Sequence, residues 1–157
     1  MNGNPHSTED HHMTIHTALF SSLSCEWPTP QSFYDELDAE FGFTLDPCAT
    51  ARNAKCEKFF TVAEDGLAQD WSNEVVFCNP PYGREIAAWA RKCFESARLG
   101  ATTVLLVHAR TDTRWFHDWV YGKAELRFVK GRLKFGEAKT SAPFPSLIAI
   151  YRPRPVH

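Results

Sequence analysis

Nine residues, Val75-Val76-Phe77-Cys78-Asn79-Pro80-Pro81-Tyr82-Gly83, decide how this chain is read. The first four form a continuous apolar run closed by a turn signal, the pattern of a buried strand. Proline restricts the residue before it to extended conformations, so Asn79 and Pro80 are both held out of the helical region. The two prolines also remove two backbone N–H donors. What remains is a stiff bend that offers acceptors: the Asn79 side-chain oxygen and the Pro80 carbonyl. Beyond Gly83, residues Ile86, Trp89, Ala90, Cys93, Phe94 and Ala97 share one helical face, and Gly100 ends that helix.

Toward the N-terminus, Thr29-Pro30 reads as a helix start, with Thr at the N-cap and Pro at the first helical position. Phe33, Leu37 and Phe41 then mark a stripe every four residues, and Gly42 closes the helix. Phe43-Thr44-Leu45 predicts a short strand ending at Asp46-Pro47. A polar, partly helical stretch runs to about Lys58, followed by a short strand at Phe59-Phe60-Thr61. Toward the C-terminus, 103–107 predicts a buried strand. Asp112 or Thr113 caps a short helix carrying Trp115, Phe116 and Trp119. Strands are expected at 125–129, 132–135 and 147–151. Strands alternating with helices and closed by successive strands predict an α/β three-layer domain, with a mainly parallel sheet and a C-terminal antiparallel β-hairpin. Ligands of such sheets bind beyond the strand carboxyl ends, where Asp46 and Asn79 both fall.

The 157 residues suit one domain, with 43% hydrophobic and 23% charged residues. Residues 1–24 read as a flexible polar segment, and 25–157 as one catalytic domain without a separate target-recognition domain. His6, His11, His12 and His16 are expected to be solvated rather than metal-binding. Five scattered cysteines, odd in number and never C-x-x-C, argue for a reducing cytoplasm and against a disulfide framework or a zinc site. No apolar run approaches the roughly 20 residues of a membrane span. Charge is unevenly placed: residues 1–83 carry 3 Lys and Arg against 13 Asp and Glu, whereas 84–157 carry 14 against 6. The basic half could be a solvated surface or a face for a polyanion.

The acceptor pair at Asn79-Pro80 suits an amino group on an aromatic ring, whose lone pair is delocalised and nearly non-nucleophilic. Two acceptors hold both hydrogens and orient the nitrogen for in-line attack on a methyl sulfonium; the proton leaves afterward. Tyr82 can stack on the ring. Orientation is the main contribution expected of such a site.

The chain resembles the phage-type DNA N6-adenine methyltransferase family, a compact Dam-like group. The likeness rests on Trp27-Pro28-Thr29-Pro30, Phe43-Thr44-Leu45-Asp46-Pro47-Cys48-Ala49, Asp65-Gly66-Leu67, Asp70-Trp71, Phe77 to Gly83, Gly131-Arg132-Leu133-Lys134-Phe135 and Phe144-Pro145-Ser146. The resemblance implies a Rossmann-like fold using S-adenosylmethionine, with Asn79, Pro80, Pro81 and Tyr82 catalytic. It implies that Asp46, Pro47 and Cys48 form the cofactor turn, the carboxylate meeting the methionine amino group. Thr29-Pro30 would wrap the methionine end, and Asp65 would lie near the cofactor adenine. Asp70 competes for that last role or caps the Trp71 turn. One departure is plain: Asp46-Pro47-Cys48-Ala49-Thr50-Ala51 has no Gly-x-Gly. The acid for the ribose is also open between Glu57 and Glu64.

DNA is the expected partner. Without a recognition domain, contacts must come from 108–145, where Arg110, Arg114, Lys130, Arg132 and Lys134 lead the candidates. Lys123, Arg127 and Lys139 accompany them, interleaved with Trp115, Phe116 and Phe128. Trp115 and Trp119 also fit a core helix. A purine N6 is hidden in the duplex stack, so base flipping is implied. A monomer or weak dimer is expected, acting in a cytoplasm, that of the host if the chain is phage-encoded. The alternatives are an amino methyltransferase acting on guanine in RNA or on a protein glutamine amide, and a nucleic-acid-binding module without catalysis.

Overall fold

The computed structural model describes residues 28–135 and 141–154. The expected N-terminal segment and its four histidines lie outside the described residues. The elements are α1 (Gln31–Phe41), a 3-10 turn (Gly66–Ala68), β1 (Val75–Cys78), α2 (Ile86–Arg98), β2 (Thr102–His108), α3 (Arg114–Trp119), β3 (Glu125–Phe128) and β4 (Ser146–Tyr151).

The four strands form one sheet in the order β1-β2-β4-β3. β1 runs parallel to β2, with Cys78 opposite Leu105. β4 is antiparallel to both neighbours, with Ser146 opposite His108 and Leu147 opposite Phe128. The expectation of a mainly parallel sheet is therefore not met: two of the three pairings are antiparallel. Both come from one reversed strand, because β1, β2 and β3 point the same way and β4 enters between the last two. The described residues between β3 and β4, 129–135 and 141–145, hold no helix, and only a crossover delivers a parallel neighbour.

The strand expected at 43–45 is reduced to a single parallel bridge, Leu45 to Val76, and that at 59–61 to another, Asp46 to Phe59. Pro47 cannot donate to a ladder, so extension past Asp46 is blocked. Nor is 132–135 a strand. Leu133 and Phe135 turn inward while Arg132 and Lys134 stay exposed, but β4 takes the place beside β3 that a tight hairpin would have filled.

The sheet has a core on each face. Leu105, Val107, Leu147, Ala149 and Tyr151 pack with α2, α3 and Trp71. Phe77, Val104, Leu106, Ile148 and Ile150 alternate onto the other face with Tyr34 and Leu37 of α1. This is the three-layer arrangement, produced by the period-two alternation of strand side chains. Complete burial of each Val or Leu contributes about 1.5–3 kcal/mol. α1 begins one residue later than expected: Pro30 is the N-cap, and Thr29 does not cap. Its buried stripe centres on Tyr34 and Leu37, flanked by the part-buried Phe33 and Phe41. α2 buries the expected face, except that Ser96 joins it and Phe94 stays partly exposed. Among the described residues no helix is long and apolar enough to cross a membrane.

Candidate active site

β1 delivers Asn79 to the carboxyl rim of the sheet. There the Asn79 amide donates from Nδ2 to Thr29 Oγ1 at 3.2 Å. Thr29 is 3% exposed, and the bond turns the NH2 end of the amide toward it and the oxygen to the opposite side. Thr29 thus serves the rim rather than the helix end. Pro80 is buried and Pro81 half-buried, which keeps the bend rigid.

Beside this pair lies a narrow crevice lined by Thr29, Asp46, Cys48, Asn53, Lys55 and Asn79, among others. Asp46 is 4% exposed, and its carboxylate accepts the backbone N–H of Lys55 at 3.0 Å and of Cys48 at 3.4 Å. Burial pushes the carboxyl up to about 6, against the downward pull of those two N–H groups and of the Lys55 charge. Within the same turn, Asn53 Oδ1 accepts from Thr50 N–H at 2.7 Å, and Thr50 Oγ1 accepts from Asn53 N–H at 3.2 Å. These side-chain bonds close the turn that a Gly-x-Gly would otherwise close. The missing glycines are replaced by a carboxylate at the centre.

Pro47 is buried, and Gly66 packs directly beneath it. A Cβ on Gly66 would collide with the Pro47 carbonyl oxygen and lie 3.1 Å from the Trp89 ring. Trp71 holds that position by donating from Nε1 to the Gly66 carbonyl at 2.9 Å. Asp65 is carried next to the Asp46-Pro47 turn, but it is exposed and does not line the crevice. Asp70 accepts from the Ser72 N–H and hydroxyl at 2.9 and 2.6 Å and so caps the Trp71 turn. Glu57 and Glu64 are exposed and also lie outside the crevice lining.

The Tyr82 ring lies 4.7 Å from the His108 ring and meets Phe144 edge-on at 5.2 Å. His108 also contacts Trp115 at 5.7 Å. Burial pushes the His108 imidazole down to about 4, assisted by Arg110, so it is neutral at physiological pH. The Tyr82 hydroxyl, His108 Nδ1 and Ser146 Oγ are all enclosed without a hydrogen-bond partner among the described residues. Phe144, Arg110 and Asp112 help line a pocket of about 250 Å³ beyond this aromatic group. Sequence reasoning gave no role to His108, Ser146, Gly66 or Lys55, although Gly66 and Ser146 lie within stretches that carry the family likeness. Only His108, a polar residue ending an apolar strand, carried a local signal.

Arg110, Arg114, Lys130, Arg132 and Lys134 are all exposed, and none forms a salt bridge among the described residues. Arg127 differs: Glu40 receives both of its terminal nitrogens, at 2.6 and 2.8 Å. Phe116 is core, and Trp115 and Trp119 pack against it, while Phe128 is 74% exposed. No group of three His, Cys, Asp or Glu suited to a metal occurs among the described residues.

Such a rim points to methyltransferases that act on amino nitrogens. Comparison with known proteins narrows the class: the chain belongs to the DNA N-6-adenine-methyltransferase (Dam) family, whose profile matches residues 16–153. It is 26% identical to a DNA N-6-adenine-methyltransferase of Haemophilus phage HP1 over 136 residues, 82% of this chain and 79% of the relative. A DNA N-6-adenine-methyltransferase of Escherichia phage T1 is 29% identical over 109 residues, 68% of this chain but 45% of the relative. The putative methyltransferase YfdM of Escherichia coli K12 is 36% identical over 64 residues, 36% of this chain and 70% of the relative. By family, the chain is an enzyme of DNA adenine methylation.

Proposed function

We propose that the chain transfers a methyl group from S-adenosylmethionine to N6 of an adenine flipped out of DNA. The observation that carries this reading is the Asn79–Thr29 bond, which ties the amide of the Pro-Pro turn to the wall of the crevice holding Asp46. The residues fit such a cofactor, because a carboxylate desolvated enough to titrate near 6 is compensated by an incoming ammonium. When bound, the cofactor supplies an electrophilic methyl on a sulfonium. Asn79 Oδ1 and the Pro80 carbonyl accept the two amino hydrogens and orient the nitrogen; Pro81 stiffens the bend. Tyr82, braced by His108 and Phe144, supports the base. Asp46, Pro47 and Cys48 hold the methionine end, with Thr29-Pro30 alongside and Asp65 at the adenine end.

The parallel bridges Asp46–Phe59 and Leu45–Val76 extend the sheet beyond β1 and support a Rossmann-like reading of the parallel half. Residues 25–157 act as one catalytic domain, working in the cytoplasm as a monomer or weak dimer. DNA is held by Arg110, Arg114, Lys130, Arg132 and Lys134, whose exposed charges suit phosphates.

The test is incubation of the protein with unmethylated DNA and S-adenosylmethionine, followed by mass spectrometry of the nucleosides, with Asn79→Ala in parallel. N6-methyladenine that vanishes in the variant supports the reading. Methylated RNA or protein without methylated DNA would move the substrate, and absence of cofactor binding would leave a nucleic-acid-binding module.

A further inference from the structure

Among the residues lining the crevice, Lys55 is the sole cation. Its backbone N–H donates to Asp46 at 3.0 Å, so one turn brings both residues to the same crevice. The Lys55 ammonium donates to the neutral Gln31 Oε1 at 2.8 Å and lies 5.9 Å from the centre of the Tyr34 ring. It forms no ion pair among the described residues. Burial depresses its pKa, despite the opposing pull of Asp46 and Asp35. A partly desolvated ammonium facing a neutral amide gains most from an anion.

An α-amino acid carries an ammonium and a carboxylate on one carbon. A crevice with a buried carboxylate and a separate cation complements that zwitterion. It suits neither a bare nucleoside nor a phosphate, which Asp46 would repel. Asp46 alone provides for the ammonium and leaves the carboxylate without a counter-charge.

We propose that Lys55 binds the α-carboxylate of the cofactor's methionine moiety while Asp46 takes the α-ammonium. Lys55 thereby selects the intact amino-acid end. This assignment rests on S-adenosylmethionine being the donor, and it names a residue outside the Asp46-Pro47-Cys48 turn itself.

The experiment is calorimetric titration of the full chain and of Lys55→Met and Lys55→Arg. The two ligands are S-adenosylmethionine and its decarboxylated analogue, which keeps the sulfonium and the ammonium. Lys55→Met should weaken S-adenosylmethionine about 10- to 100-fold, the range for a hydrogen bond to a charged group. The same change should leave the decarboxylated analogue within about twofold, and Lys55→Arg should restore most of the affinity for S-adenosylmethionine. Equal weakening of both ligands would mean that Lys55 only shapes the Asp46 turn, and would overturn the assignment. So would unchanged binding of S-adenosylmethionine by Lys55→Met. A wild-type chain that binds no S-adenosylmethionine would overturn the donor reading and this assignment with it.

Discussion

Asp46→Asn should stabilise the ligand-free protein at neutral pH while weakening its cofactor binding. Asp46 is 4% exposed, and desolvation raises its carboxyl from 3.8 to about 6 in the folded state. With the folded value above the unfolded one, the folded state holds the proton more tightly. Ionisation therefore removes stability as pH rises from about 4 to about 6, and the full cost stands above that window. At 1.36 kcal/mol per unit, a shift of this size corresponds to about 3 kcal/mol. Asparagine has no charge to desolvate. Its oxygen keeps the 3.0 Å bond from Lys55 N–H and gives up the 3.4 Å bond from Cys48. Losing that weaker bond costs about 1–2 kcal/mol, leaving a net gain of about 1–2 kcal/mol at pH 8. For a domain of this size that is about 2–8 °C in Tm. Urea unfolding of both proteins between pH 4.5 and 8 measures it. The variant's advantage should be small at pH 4.5, where Asp46 is largely protonated, and should grow through pH 6. A stability difference flat in pH, or an advantage that shrinks as pH rises, would refute the argument. In the same preparations, binding of S-adenosylmethionine should fall by about tenfold or more, since the carboxylate that costs stability is the one we propose to receive the ammonium.

Other consequences follow from single contacts. Thr29→Val keeps the shape of the side chain but removes the acceptor of the Asn79 amide, so single-turnover methylation at saturating cofactor should slow about tenfold. An unchanged rate at saturating cofactor would show that the Asn79 amide is oriented without Thr29. Gly66→Ala drives a methyl group onto the Pro47 carbonyl, in a place that Trp71 pins, and should cost about 2–4 kcal/mol in urea unfolding. Unchanged stability would show that the turn yields freely. Arg132→Ala should weaken DNA binding and reduce the slope of log K against log salt by about 1. Arg127→Ala should leave that slope unchanged, because Glu40 already occupies its guanidinium; a comparable drop would place Arg127 on the phosphates.

Everything legible in the amino-acid order lies within a few residues of each motif. Two prolines stiffen the Asn79 turn through local sterics, the α2 face follows the helical period, and β2 shows itself as an apolar run. Phe33 and Phe41 located α1, although its stripe turned one residue toward Tyr34. The turn at Asp46 was legible as a strand end, yet its closure without glycine was not, because it depends on Lys55 N–H reaching back nine residues to a buried carboxylate. Longer partnerships were decided only by the tertiary structure. Thr29 looked like a helix cap and instead meets Asn79, fifty residues away. Arg127 looked like a phosphate ligand until Glu40, eighty-seven residues away, was found holding it. His108 and Ser146 became neighbours because β4 enters the sheet reversed between β2 and β3. The physical reason is one of range: backbone sterics and side-chain periodicity act over a turn or two. Which buried charge meets which partner depends on the order and direction in which strands join the sheet.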